Sequence, residues 1–198
     1  MSMIVKGTET SIEPEIPAGI HEAACVFLAH IGTQPKTWEG RDYTVPQVIV
    51  GFECQQIEGH PRTSLWSSFS LKKKSQLRKQ LESWRGKPFT EEELAGWDLE
   101  QIVGKPCQIQ VIHRENAAGY KNARIENVLP AVKGQSKATT TKPIVWSVAD
   151  ALADSSRWQD VPEWIQDAAK RSIEYTQTAA APEASRSKPD EPEDDIPF

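Results

Sequence analysis

The sequence predicts a mainly β domain: a five-stranded barrel with a helical insert between strands three and four, a C-terminal helical extension and a disordered acidic tail. Three observations carry this expectation. Strand candidates, apolar or alternating, come as a group of three and then a group of two, and a stretch of helical period separates the groups. Gly, Pro and Asn clusters such as EGHP and NAAG punctuate the alternating runs. Beyond residue 130 the composition shifts to a linker and, near the end, to Ala, Pro, Glu and Asp. Strand–strand–strand–helix–strand–strand is the order of the OB-fold, a partly open Greek-key barrel. A small β-sandwich with a helical insert is the alternative arrangement of the same runs.

Residues 1–19, with Pro14, Pro17 and Gly19, read as a flexible lead-in. The barrel domain is expected over 20–130. Its first strand is the apolar run Ile20 to Ile31, followed by a Gly- and Pro-marked loop from Gly32 to Thr44. The second runs from Val45 to Ile57, with Val48, Val50, Phe52 and Cys54 in one phase, and the third from Arg62 to Leu71. The EGHP turn between the second and third makes them a hairpin. The period then changes: Leu77, Leu81 and Trp84 form one helical stripe, with Ser75 as a candidate N-cap and Gly86 just past the end. TEEE (Thr90 to Glu93) is a capping-box pattern, and DLEQ (Asp98 to Gln101) starts a shorter turn. Lys105 to Glu115 and Tyr120 to Pro130 alternate again as strands four and five. Residues 131–143 read as a linker. Within the extension, 144–178, Val161, Ile165, Ala168, Ala169 and Ser172 share one helical stripe, which should pack on the barrel or on a neighbouring subunit. Residues 179–198 form the acidic tail.

Composition bounds the function. The chain has 198 residues, 38% of them hydrophobic and seven of them Trp, enough for a real core. Its longest apolar run, Ala23 to Ile31, is too short to span a bilayer, and the N-terminal residues lack the pattern of a secretory signal. Cys25, Cys54 and Cys107 are widely spaced and odd in number, which suits a reducing cytoplasm and argues against disulfides or a structural zinc site. The net charge of −5 conceals an uneven distribution: between Arg62 and Lys87 eight basic residues face the single acid Glu82, whereas the tail is acidic.

No group of residues suggests catalysis. The four histidines are isolated, the acids single, and no glycine loop has phosphate-binding spacing, so neither cofactor nor metal is expected. Nucleic-acid contact is a better match, because a single strand needs cations for phosphates and flat rings for bases. On a barrel of this type the contacts would come from the face of strands two and three and from the loops joining strands one to two and four to five. The candidates are Lys36, Trp38, Arg41 and Tyr43 in the first loop and Trp66 or Phe69 on the third strand, where opposite phases let at most one point outward. Lys72, Lys73, Lys74 and Arg78 follow, with Arg114, Tyr120 and Lys121 around the second loop. Trp84 and Trp97 are assigned to the core. The chain ends PDEPEDDIPF, an acidic run closed by Ile-Pro-Phe. This is the chemistry of a tethered peptide ligand: Phe198 for an apolar pocket, the carboxylate for a basic side chain, Asp194 and Asp195 for steering.

The ending DDIPF resembles the C-terminal tip of bacterial single-stranded DNA-binding proteins, and the layout of barrel, linker and acidic tip is also similar. The body looks more like the versions carried by bacteriophages and prophages. The resemblance implies sequence-independent binding of single-stranded DNA during replication, recombination or repair. It also implies recruitment of bacterial or phage partner proteins through Asp194, Asp195, Ile196, Pro197 and Phe198, in the host cytoplasm and without catalysis. Rival expectations are a replication or recombination loader acting mainly through protein contacts, and a DNA-processing enzyme.

Overall fold

A computed structural model describes residues 15–115, 121–135 and 139–180. The organising element is β1 (Gly19–Trp38), a strand of 20 residues. It pairs antiparallel with β2 (Arg41–Cys54) from Ala23↔Cys54 to Trp38↔Arg41. The turn between them is Glu39-Gly40, with φ of 48° and 75°. Left-handed backbone at both positions is the two-residue hairpin geometry that matches strand twist. The segment expected to be a loop, Gly32–Thr44, is thus mostly strand, and from Pro35 to Thr44 it forms an exposed two-stranded arm.

β3 (Arg62–Ser68) pairs with the far edge of β2. On its other edge β1 carries two short strands in succession. β4 (Pro106–Glu115) lies antiparallel along Gly19–Ala24, and β6 (Ile144–Ser147) lies parallel along Phe27–His30. β5 (Lys121–Pro130) pairs with β4. The order is therefore β3-β2-β1-β4-β5, with β6 added to β1.

This corrects the expectation of a closed OB-fold barrel and of a mainly β protein: the sheet is open, and the fold is mixed α/β. β3 and β5 curl to within 8 Å of each other but share no ladder. Helix α1 (Gln76–Arg85) supplies a physical reason. Its buried Gln80 donates from Nε2 to the Glu126 carbonyl at 2.8 Å, and its Oε1 accepts from the Val128 amide at 2.7 Å. The side chain thus takes up backbone groups of β5 that a closing strand would need.

Both faces of the sheet are covered. On one, Val48, Val50, Phe52 and Cys54 meet Leu65, Ile109, Val111 and Val128 with Leu77 and Leu81 of α1; Trp84 and Trp97 pack against this core. α1 ends at Gly86 with φ of 67°. It is followed by α2 (Glu91–Ala95), whose Thr90–Glu93 capping box forms as expected, and by a 3-10 turn at Leu99–Ile102. Ser75 occupies the N-cap position of α1 but donates its hydroxyl to the Ser70 carbonyl at 2.5 Å rather than capping the helix. On the opposite face, Ala29, Ile31 and Ile49 are covered by Trp146 of β6 and by α3 (Val148–Ala153), α4 (Glu163–Lys170) and α5 (Ile173–Ala180). The stripe Val161, Ile165, Ala168, Ala169 and Ser172 is buried here, against the sheet of its own chain. Burial on both faces explains why Val48–Phe52 reads as an apolar run instead of an alternation. Cys25, Cys54 and Cys107 are free and buried. Burial pushes the Cys25 thiol up to about 12 and, with Glu15 and Glu53, the Cys54 thiol up to about 11.

If Gln80 substitutes for a strand, Gln80→Leu should leave the Glu126 carbonyl and Val128 amide unpaired in a buried setting. Denaturant unfolding should then show a loss of about 2 kcal/mol, the cost of stranding buried polar groups. A stability equal to wild type would contradict the role.

Candidate functional site

The concave surface lies where the sheet fails to close. A groove of about 620 Å³ is bounded by Arg62–Trp66 of β3 and Ala123–Ile125 of β5. Its lining includes two cations, Arg62 and Arg124, and no carboxylate. Both arginines are exposed, and Arg62 makes no ion pair among the described residues. Among the described residues, the β3 edge facing the groove is paired with no strand. An inserted strand would need about twice the ~4.8 Å interstrand spacing. The approach of β3 and β5 to within 8 Å rules that out, so an extended ligand can only lie along the groove.

Trp66 closes one end. It is 44% exposed, and its ring lies 5.8 Å from that of Trp164 on α4, which is also 44% exposed. Phe27 of β1 meets the other side of Trp164 edge-on at 6.3 Å. Gly51 makes this possible: it stands opposite Phe27 in the ladder, and a Cβ there would lie 1.8 Å from the Phe27 ring. Beyond β3 a second cleft of about 400 Å³ shares Arg62, Thr63 and Ser64 with the groove and is walled by Phe27, Thr141 and Trp164. This cleft has acids as well, Glu15 and Asp160, so the basic character belongs to the groove.

Two carboxylates, one buried and one half-buried, tie the C-terminal extension down beside these surfaces. Glu53 of β2, 1% exposed, accepts from the Thr140 amide at 2.7 Å, the Thr140 hydroxyl at 2.9 Å, the Thr141 amide at 3.0 Å and the Thr141 hydroxyl. Glu174 of α5 accepts from the Thr33 amide at 2.8 Å and the Thr33 hydroxyl at 2.7 Å. Burial pushes both carboxyls up, but these hydrogen bonds outweigh it and hold each below the usual carboxylate range. His30, near Glu174, is pushed down by burial against a smaller opposing effect of that carboxylate.

The sequence-derived candidates are scattered by comparison. Lys36, Trp38, Arg41 and Tyr43 all lie on the exposed β1–β2 arm, with Trp38 68% and Tyr43 49% exposed. Trp66 and Phe69 are both exposed, against the expectation of at most one, because β3 ends at Ser68 and Phe69 lies beyond the strand's alternation. Phe69 is partly covered by His30, ring to ring at 4.7 Å. Lys72, Lys73 and Lys74 are exposed before α1. Arg78 is engaged by Glu82 at 2.8 Å, and Arg114 approaches Glu126 at 3.4 Å. Lys121 is exposed at the start of β5; Tyr120 and the tip Asp194–Phe198 lie outside the described residues. The groove residues Arg62 and Arg124, and Trp164 beside them, were absent from that set. Trp164 had a signal: it is a large aromatic just off the apolar stripe of an amphipathic helix.

Among the described residues no cluster of His, Cys, Asp and Glu is placed to hold a metal, and no helix is long and apolar enough to cross a membrane. The reading of single-stranded DNA binding rested on a closed barrel that presents two loops and a strand face. The open sheet removes that basis, and with it the resemblance to single-stranded DNA-binding proteins. No family model matches the chain, and no curated protein matches it.

The two carboxylate ties set an acid dependence. Their folded-state values are depressed, so the stability they add is full above about pH 4.3, the unfolded carboxyl value, and is lost as pH falls through the folded values. Trp fluorescence, to which Trp146, the neighbouring Trp158 and Trp164 of the extension contribute, should report loosening of the extension below that pH. Glu53→Gln and Glu174→Gln should each flatten the slope; an unchanged slope in both would contradict the assignment.

Proposed function

We propose that the chain is a non-catalytic protein-interaction module that holds an extended acidic peptide along the β3–β5 groove. The observation that carries this reading is the unpaired β3 edge, set between two arginines and ending at the exposed Trp66–Trp164 pair. A peptide lying over that edge is held by its side chains, with apolar groups on the Trp pair and carboxylates on the guanidinium groups. Aromatic and Arg anchors dominate the energetics of such contacts. Arg78, Arg85 and Arg157 are each held by carboxylates of this chain, whereas Arg62 in the groove makes no ion pair among the described residues. The three unpaired thiols support a cytoplasmic setting.

The reading is tested with an acidic probe peptide alternating Glu with Val and Phe, and a Lys-for-Glu control. The acidic probe should quench Trp fluorescence and bind more weakly as salt rises. Trp66→Ala should weaken it tenfold or more, and Arg62→Ala with Arg124→Ala should abolish the preference over the control. Equal binding of the two peptides, or binding indifferent to Trp66, would overturn the reading, as would displacement of the probe by an unstructured oligonucleotide at lower concentration.

The C-terminal segment favours a second, compatible role. An acidic run closed by Ile196, Pro197 and Phe198 has the chemistry of a ligand for a partner protein with a basic-rimmed apolar pocket. Removing Asp190–Phe198 should leave probe binding and thermal stability within error of wild type while a copurifying partner is lost. Loss of probe binding on truncation would contradict the division of roles.

A further inference from the structure

Glu53 and Arg62 stand directly opposite each other in the β2–β3 ladder. Side chains at such positions share a face, with Cβ atoms ~5 Å apart, so a carboxylate and a guanidinium so placed are natural partners. They do not pair. The Glu53 carboxylate is buried and turned to Thr140 and Thr141, whose two amides and two hydroxyls surround it. Arg62 is left exposed at the junction of the groove and the second cleft, and it lines both.

We infer that Thr140 and Thr141 determine specificity by sequestering Glu53, which keeps Arg62 unpaired and available to an anionic group of the ligand. Four donors from the extension satisfy a carboxylate that Arg62 would otherwise neutralise. Without them the buried charge would be costly, and its nearest remedy would be the guanidinium one strand away. The preference for acid would then be lost although no groove residue had changed. The sequestration of Glu53 stands on the ladder register and the Thr contacts alone; the identity of the ligand rests on the peptide reading above.

The test separates the two. Arginine Nε–H signals, with Arg62 assigned through Arg62→Lys, report the guanidinium without any ligand. In wild type the Arg62 signal should exchange rapidly with solvent. In Thr140→Val with Thr141→Val, which removes the two hydroxyl donors and leaves the two amides, it should shift and become measurably protected, and adding Glu53→Gln should return it to the wild-type position. Acidic-probe affinity should fall tenfold or more in the double variant and recover in the triple variant. Glu53→Gln alone, which keeps the threonines, should leave both the Arg62 signal and probe affinity at or above wild type. An Arg62 signal unmoved in the double variant, or a tenfold affinity loss in Glu53→Gln alone, would overturn the inference. If the Arg62 signal responds as stated while wild type ignores the probe, the peptide reading fails and the sequestration stands.

Discussion

Strand β1 has more hydrogen-bonding edge than any single partner covers, and the rest of the molecule is arranged around that excess. At roughly 3.3 Å per residue a strand of this length is several times longer than a typical one. One edge is taken by β2 along nearly its whole length. The other is divided between β4 at the start and β6 further on, with a register shift between Cys25 and Phe27 at the changeover. Sharing that edge brings two distant parts of the chain onto one backbone. The first part is the β4–β5 hairpin. The second is the C-terminal extension, which enters the fold through the four-residue β6 and then covers the face that Ala29, Ile31 and Ile49 would otherwise expose.

The groove follows from a competition at β5. A strand edge facing another strand across a few ångströms would ordinarily close the ladder, but Gln80 reaches it first with a donor and an acceptor of the right spacing. One side-chain amide thus occupies the edge of β5 at Glu126 and Val128, next to the Ala123–Ile125 stretch that β3 approaches. The unpaired edge of β3 is a liability in a soluble protein unless something covers or uses it. Here the approach of β5 leaves no room for another strand, and Trp66, Trp164 and the two arginines surround the edge.

Much of the local structure was legible in the chain. The phase of Val48, Val50, Phe52 and Cys54, the Thr90 capping box, the stop at Gly86 and the buried stripe from Val161 to Ser172 all depend on interactions within a few residues or on a single buried face. Closure was not legible, because alternation identifies which face of a strand is buried and says nothing about which edge is paired. Part of the β5 edge is taken by Gln80, a polar residue unremarkable in a helical pattern. The β6 run Ile-Val-Trp-Ser is too short for its period to separate strand from helix, so it was absorbed into the helical extension. The arm was misread because Gly32 and Pro35 are turn signals in general, whereas here Gly32 sits within β1 at φ of 77° and the true turn is Glu39-Gly40. At the site, the basic stripe was visible as a charge imbalance, but which of its members stay free depends on carboxylates such as Glu82, Glu93 and Glu53, whose partners are set by tertiary contacts.

The three thiols acquire a different meaning in this setting. Cys25, Cys54 and Cys107 sit on adjacent strands β1, β2 and β4, fully buried in one cluster, and burial disfavours the reactive thiolate of each. In the folded state they are shielded from oxidants and alkylating reagents alike. Chemical modification must wait for the sheet to part at β1, so the thiols act as a slow clock. It counts openings of the central strand and is blind to motion of the arm, the groove or the extension.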